Sequence, residues 1–173
     1  YWATLPLEYC IEPTLSSDNL TASQAETIIQ EGVNVWLNSG AAITAESQKV
    51  KTPNAVCKRS YAQDNQNNIY FEQNETTWNS RYYLGNQTLG VTWSNYYYSG
   101  ASVPNIAEAD IALNNVHYSK TQNFDWAKIT NSTAGWGKLD LKTIFTHEFG
   151  HFFGLSHNTD TQDALMWYSS SAQ

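Results

Sequence analysis

The segment from residue 143 to residue 157 constrains this chain more than any other. It holds three of the four histidines of the sequence, in the pattern His-Glu-x-x-His-x-x-Gly-x-x-His. Residues four apart on an α-helix lie on the same face, so His147 and His151 can direct two imidazoles at one point. A pair of histidines in this arrangement is typical of a zinc site.

A third ligand must approach this point from outside the helix. We expect the helix to end near Gly154, because glycine adopts the left-handed conformation without a Cβ clash. The chain can then turn and bring His157 back to the metal. Three neutral imidazoles leave the fourth position of a tetrahedral zinc open for water, which is typical of a catalytic rather than a structural site.

Glu148 is adjacent in sequence to the first predicted ligand. Its carboxylate can lie beside the bound water and accept its proton, while the zinc lowers the pKa of that water and polarises a substrate carbonyl. A lone His-Glu-x-x-His pattern occurs by chance on surface helices. The added Gly154 and His157 in register make coincidence a poor explanation, so the segment predicts a catalytic zinc site with Glu148 as general base.

This signature, followed by Met166 in the run Ala-Leu-Met-Trp-Tyr, resembles the metzincin clan of zinc endopeptidases, whose methionine turn lies beneath the metal. Within the clan, residues 140–166 most resemble the matrixins, particularly the compact prokaryotic-type relatives of the matrix metalloproteinases. Astacins usually place Glu after the third histidine and adamalysins place Asp, whereas this chain has Asn158. The resemblance implies zinc-dependent hydrolysis of internal peptide bonds.

The chain departs from the matrixin pattern after the methionine. Matrixins typically place proline there, whereas Trp-Tyr-Ser follows here. A tyrosine two positions after the methionine resembles astacins and serralysins, in which it coordinates zinc or stabilises the oxyanion. Tyr168 is therefore either a catalytic auxiliary or part of the pocket for the residue after the cleaved bond. Matrixins also continue into a C-terminal helix that residues 169–173 cannot form, so we expect a minimal version or a trimmed chain.

The resemblance also implies the fold class. We expect residues 1–173 to form a single α+β domain of the metzincin type, with a twisted, mostly parallel sheet, one antiparallel edge strand, two main helices and a zinc cleft.

Local residue patterns predict the individual elements. Runs of β-branched and aromatic residues predict strands near residues 5–11, 55–61, 68–72, 89–93 and 107–114. Thr21 and Gln24 predict a capping box for a first helix that ends near residue 38, and Asp140 is the predicted N-cap of the histidine-bearing helix.

In the matrixins an edge strand above the zinc pairs with extended substrate. By its order along the chain, the strand at residues 89–93 resembles that edge strand, and we assign Gly90 and Val91 to substrate binding on this basis. The aromatic run at residues 96–98 falls in the predicted connection after this strand. It is either a contact surface or a packed flap, and packing is the favoured interpretation.

Composition limits the partners. A net charge of -7 with only 9 Lys+Arg argues against nucleic acid and anionic membranes, and no apolar run is long enough to span a bilayer. The many Trp and Tyr residues among Asn, Gln, Ser and Thr suggest an exported protein, so we expect a secreted monomer acting on protein or peptide substrates.

In an exported protein, Cys10 and Cys57 predict one disulfide, the alternative being two unrelated buried thiols. The start at Tyr1, without a signal peptide, predicts a mature or trimmed form.

One catalytic zinc is the expected cofactor. Animal matrixins carry a second, structural zinc held by three further histidines, and only His117 remains here. Calcium is a candidate near Asp110, Asp125 or residues 160–163, although no calcium-loop spacing is visible.

Two other functions fit the histidine segment: a catalytically silent zinc-binding module, against which Glu148 argues, and a toxin-like protease of narrow specificity.

Overall fold

The computed structural model describes residues 2, 7–12, 20–39, 63–81, 88–98, 100, 104–116, 125–130, 138–161 and 164–167. The strands are β1 (Cys10–Glu12), β2 (Asn68–Glu72), β3 (Gly90–Tyr97), β4 (Asn105–Asn114), β5 (Trp126–Ala127) and β6 (Leu139–Asp140). The helices are α1 (Ala22–Leu37) and α2 (Leu141–Phe152), and a short π-helical turn covers Thr77–Arg81. Within these ranges, no helix combines the length and apolar character that a membrane crossing requires.

Four of the strands form one mixed sheet in the order β1-β2-β4-β3. Strand β2 is parallel to both β1 and β4, whereas β3 is antiparallel to β4 and lies at the edge. This confirms the predicted α+β fold with a mostly parallel sheet and one antiparallel edge strand. The register between β3 and β4 shifts after Asn95, where the pairing of Asn95 with Glu108 is followed by that of Tyr96 with Ile106. The strand predicted at residues 55–61 lies outside the described residues.

Both helices begin at the predicted caps. The Thr21 hydroxyl accepts a hydrogen bond from the backbone N–H of Gln24 at 3.3 Å, and the Gln24 side chain accepts one from the Thr21 N–H at 2.9 Å. Asp140 accepts from the N–H of Thr143 at 3.1 Å. Each cap satisfies backbone donors that have no partner within the first helical turn, which fixes where the two helices begin.

The main core lies between the two helices and one face of the sheet. Helix α2 contributes five fully or largely buried side chains, namely Leu141, Ile144, Phe145, Phe149 and Phe152. Helix α1 approaches closely at Gly32, where an added Cβ would lie 2.6 Å from the Phe145 ring. A smaller cluster of Tyr70, Trp78, Ala112 and Val116 covers the opposite face of the sheet. The histidine-bearing helix is therefore held between α1 and the sheet.

Two local predictions were wrong. Strand β3 continues to Tyr97, so Tyr96 and Tyr97 lie in a strand rather than in the connection after it. The favoured packing of this aromatic run is also wrong, because Tyr96, Tyr97 and Tyr98 are 55%, 43% and 73% exposed. The segment before α2 also contains β5, which pairs in parallel with β6. Each of these strands has two residues, too few to produce a recognisable alternation.

Cys10 lies on β1, is fully buried and is not a free thiol. Cys57, the other cysteine of the chain, lies outside the described residues. The disulfide between them therefore stays a prediction.

Candidate active site

The three predicted ligands converge beside the last two turns of α2. One ring nitrogen from each of His147, His151 and His157 can be chosen so that all lie within 4.8 Å of one another. In the part of the chain that the structure describes, this is the one group of three or more His, Cys, Asp or Glu side chains able to hold a metal ion. His147 and His151 are half-buried, and His157 is exposed on the turn after the helix.

Backbone carbonyls fix the tautomers of the two helical histidines. His147 Nδ1 lies 2.8 Å from the carbonyl oxygen of Leu165, and His151 Nδ1 lies 2.7 Å from that of Leu155. A carbonyl oxygen can only accept, so each Nδ1 carries the proton and donates it. The Nε2 atom of each neutral ring therefore keeps its lone pair for a ligand, as in the second-shell arrangement of metal-bound histidines.

The distances among the rings fit a zinc ion. His151 Nε2 lies 3.1 Å from His157 Nε2. Two nitrogens bound tetrahedrally at the usual zinc–nitrogen distance of about 2.0–2.1 Å are separated by roughly 3.4 Å. Three nitrogen donors at this spacing, two of them with fixed tautomers, match the ligand set of a catalytic zinc site.

Burial also favours the neutral imidazoles that a metal requires. Desolvation lowers the pKa of His147, partly offset by the bond to the Leu165 carbonyl. Desolvation likewise lowers the pKa of His151, partly offset by the bond to the Leu155 carbonyl. Both shifts favour the neutral form of the ring.

A Schellman motif ends α2 and returns the chain to the site. The N–H of Gly154 donates to the carbonyl oxygen of His151 at 2.8 Å, and that of Leu155 donates to Gly150 at 3.0 Å. Gly154 has a φ of 89°, in the left-handed region where other residues are strained. This geometry places the Leu155 carbonyl against His151 and lets the chain bring His157 beside the helix, as the sequence predicted.

Met166 is buried in the turn 164–167, with its sulfur beside Gly150 of α2. The carbonyl of Met166 accepts from the N–H of Asn158 at 2.7 Å, and the carbonyl of the preceding Leu165 holds His147. The Asn158 side chain in turn accepts from the N–H groups of residues 160 and 161, at 2.9 Å each. The methionine turn is thus connected to both the first ligand and the residue after the third.

Glu148 faces the edge strand β3 and is 7% exposed. The hydroxyl of Thr92 lies 2.7 Å from Glu148 Oε2 and 2.9 Å from its backbone oxygen. Gly90 lies on the same face of β3, and a Cβ there would approach Glu148 Cγ at 2.7 Å. Burial raises the pKa of Glu148 to about 7, and the Thr92 hydrogen bond lowers it.

The remaining predicted residues are less closely associated with the cluster. Val91 packs toward the smaller hydrophobic cluster on the opposite face of the sheet from Glu148. Tyr168 and His117 lie outside the described residues, as do residues 162 and 163. Among the described residues near Asp110 and Asp125 and in the 160–163 loop, no group of three or more His, Cys, Asp or Glu side chains able to hold a metal ion is found.

Thr92 and the carbonyls of Leu155 and Leu165 are site features that sequence reasoning missed. Alternation along the predicted strand places Thr92 on the same face as Gly90, so the strand pattern carried a signal for the hydroxyl. Backbone carbonyls leave no trace in the sequence, since any residue supplies one.

Comparison with protein families matches residues 1–173 to the matrixin family. A search of curated proteins finds no match to this chain. The family match spans the entire sequence, including the histidine cluster and the buried glutamate beside it. The chain belongs to the matrixin family of zinc metalloendopeptidases.

Proposed function

We propose that this protein is a secreted zinc endopeptidase that hydrolyses internal peptide bonds of extracellular proteins with Glu148 as general base. The observation that carries the proposal is the convergence of three imidazoles, two of them on the helix that also carries the buried carboxylate of Glu148. Burying a carboxylate costs free energy, and a catalytic role would account for its retention at this position.

His147, His151 and His157 would hold the zinc. When bound, zinc supplies the Lewis acidity that lowers the pKa of water and polarises the scissile carbonyl. The carbonyl partners of His147 and His151 keep the two rings oriented without occupying their Nε2 atoms.

Glu148 would move the proton. Thr92 occupies Oε2, and among the described residues no side chain donates to Oε1, so Oε1 is the oxygen left to accept a proton from the attacking water. The water oxygen bonds to the scissile carbon, Glu148 passes the proton to the leaving nitrogen, and the carbon–nitrogen bond breaks. The products are a new carboxyl group and a new amine.

Strand β3 would bind the substrate. It lies at the edge of the described sheet, and an edge strand offers backbone N–H and C=O groups to an extended peptide. Gly90 brings this edge against Glu148, so a peptide paired along it would pass the general base. Gly90 would contribute its backbone groups to this edge. Those of Val91 alternate toward β4, because the Leu89 carbonyl already accepts from Asn114 of β4 and residues two apart on a strand point the same way.

The test is digestion of casein or gelatin by the purified protein, with and without a zinc chelator. Glu148→Ala removes the general base, and Glu26→Ala removes an exposed carboxylate of α1 as a matched control. We expect cleavage by the parent and by Glu26→Ala. Cleavage should be lost in Glu148→Ala and after chelation.

Metal analysis together with the digestion assay distinguishes the proposed endopeptidase from a silent zinc-binding module and from a protease of narrow specificity. One zinc per chain with no cleavage of any unstructured protein would contradict a general endopeptidase and favour the silent module or the narrow-specificity protease. Cleavage that survives both chelation and Glu148→Ala would contradict the mechanism itself.

A further inference from the structure

We propose that Thr92 of β3 is a positioning residue for Glu148. Its hydroxyl would hold the carboxylate so that Oε1, rather than Oε2, faces the water that attacks the substrate. The inference rests on the proposed function and adds to it a residue of the sheet that lies 56 positions from the glutamate.

Two contacts of one hydroxyl carry the argument. Thr92 Oγ1 lies 2.7 Å from Glu148 Oε2 and 2.9 Å from the Glu148 backbone oxygen. A hydroxyl has one hydrogen, so it donates to one acceptor at a time. Both acceptors belong to the same residue, and the carboxylate is the stronger of the two. Thr92 therefore stays bound to Glu148 whichever acceptor takes the hydrogen.

The carboxylate has few other constraints. Among the described residues, Thr92 supplies the one side-chain hydrogen bond to Glu148. Glutamate has three side-chain torsions, and the last of them, which orients the carboxylate, is broad and only weakly restricted. Without the hydroxyl, the carboxylate could rotate and exchange the positions of Oε1 and Oε2. A general base acts efficiently only when its oxygen is held within hydrogen-bond reach of the proton it takes.

Gly90 explains why a strand can supply this contact. Residues two apart on a strand face the same side, so Gly90 and Thr92 both face α2. The absence of a side chain at Gly90 leaves room for Glu148 Cγ, which a Cβ would approach at 2.7 Å. The glycine provides the space, and the threonine provides the hydrogen bond. The strand that we assign to the substrate thus also holds the general base.

The experiment compares Thr92→Val, which keeps the shape of the side chain and removes the hydroxyl, with Thr92→Ser, which keeps the hydroxyl. Thr27→Val is the matched control, because Thr27 is exposed on α1 and its hydroxyl donates to the Ser23 carbonyl at 2.9 Å, away from the site. Each zinc-loaded protein is assayed for kcat and KM on a fluorogenic peptide, for zinc content and for thermal unfolding.

We expect kcat of Thr92→Val to fall roughly ten- to a hundredfold, the range for losing one hydrogen bond to a charged group. KM should stay within about twofold, because the contact acts on the chemical step rather than on binding. Thr92→Ser should restore most of kcat, and Thr27→Val should match the parent. Zinc content should be unchanged in all three. Thr92→Ser and Thr27→Val should melt as the parent does, whereas Thr92→Val should melt at a somewhat lower temperature because a hydrogen bond to a buried carboxylate is lost.

A second comparison asks whether Thr92 acts through Glu148. In a Glu148→Ala background, adding Thr92→Val should cause no further fall in the residual rate, because the group that Thr92 positions is gone. An equal further fall would overturn the proposal. So would a kcat for Thr92→Val within twofold of the parent, equal loss of kcat in the valine and serine variants, or loss of zinc together with kcat.

A direct readout separates this inference from the proposed function. If the zinc-loaded parent cleaves nothing, the proposed function fails, and the role of Thr92 is then read from the carboxyl carbon of Glu148 by 13C NMR. The hydrogen bond predicts a different chemical shift in Thr92→Val from that in the parent and in Thr92→Ser. An identical shift in all three proteins would overturn the positioning role.

Discussion

Met166, in the turn 164–167 that follows the third ligand, lies directly against Gly150 of α2. A Cβ on Gly150 would collide with Met166 Sδ and lie 2.8 Å from Cζ2 of Trp36. The glycine therefore allows the methionine turn and α1 to pack closely on either side of the same point of the helix. Its cost in helix propensity is compensated by this packing.

Replacing Gly150 by alanine should destabilise the protein. Alanine favours the helix by about 1 kcal/mol, but overpacking costs typically about 1–3 kcal/mol, so we expect a net loss. Zinc affinity should fall as well, because a displaced Met166 moves the Leu165 carbonyl that holds His147. Urea denaturation and zinc titration measure both effects, with the exposed Glu26→Ala as control. A Gly150→Ala protein as stable as the parent would show that the turn moves aside without cost.

Stability should fall as pH rises because of Asp110. This side chain is 1% exposed, and burial raises its pKa to about 8, against the lowering effect of two hydrogen bonds from Asn68 and with further raising by Glu108 and Asp64. In the unfolded chain the pKa is about 3.9. Between these values the folded protein holds a proton that the unfolded chain has released, so the free energy of unfolding falls with pH.

The size of this effect is at most about 1.4 kcal/mol per pH unit between pH 5 and pH 8. Urea denaturation of the zinc-loaded protein at several pH values measures the slope. Asp110→Asn keeps the shape and removes the titration, so its slope should be shallower. Equal slopes in the parent and the variant would place the origin of any pH dependence elsewhere.

Removing the metal should lower the melting temperature. A ligand that binds only the folded state stabilises it by mass action, and the three histidines converge only in the folded chain. We expect a chelator to reduce the melting temperature and added zinc to restore it. His157→Ala should show little response to either. Glu148→Ala should respond as the parent does, because the glutamate is not a predicted ligand. A Glu148→Ala protein whose melting temperature no longer responds to chelator or zinc would show that Glu148 binds the metal.

The predicted disulfide can be tested by thiol titration in denaturant. Cys10 is fully buried on β1, and we expect no reactive thiol until a reductant is added. Cys57→Ser should lower the free energy of unfolding by about 4 kcal/mol, the chain-entropy value for a loop of this length. Two titratable thiols in the unreduced protein would contradict the pairing.

The elements with strong local patterns could be predicted from the sequence. Asp140 begins α2, Thr21 and Gln24 cap α1, and β2 covers the predicted residues 68–72. In each case a capping residue or a regular apolar period reports on structure within a few positions. The close contact at Gly150 was also predictable, because a glycine inside a helix needs a packing reason.

The features that the sequence did not predict depend on contacts between distant parts of the chain. Strand β3 extends to Tyr97 because Tyr96 and Tyr97 pair with Ile106 and Asn105, and an exposed aromatic run by itself does not reveal such pairing. The Thr92 contact depends on how β3 lies over α2. The ring tautomers depend on backbone carbonyls, which any sequence would supply.

Trp2 is joined to the end of the metal-binding helix across 150 positions of sequence. Its indole N–H donates to the Phe152 carbonyl at 2.9 Å, and the two rings lie 4.8 Å apart. Contacts so distant in sequence form late and slow folding, because the chain must first be ordered over a long loop. The end of the helix, from which the chain turns toward His157, is therefore expected to settle only as folding finishes. A refolding chain should gain most of its affinity for zinc in its last kinetic phase.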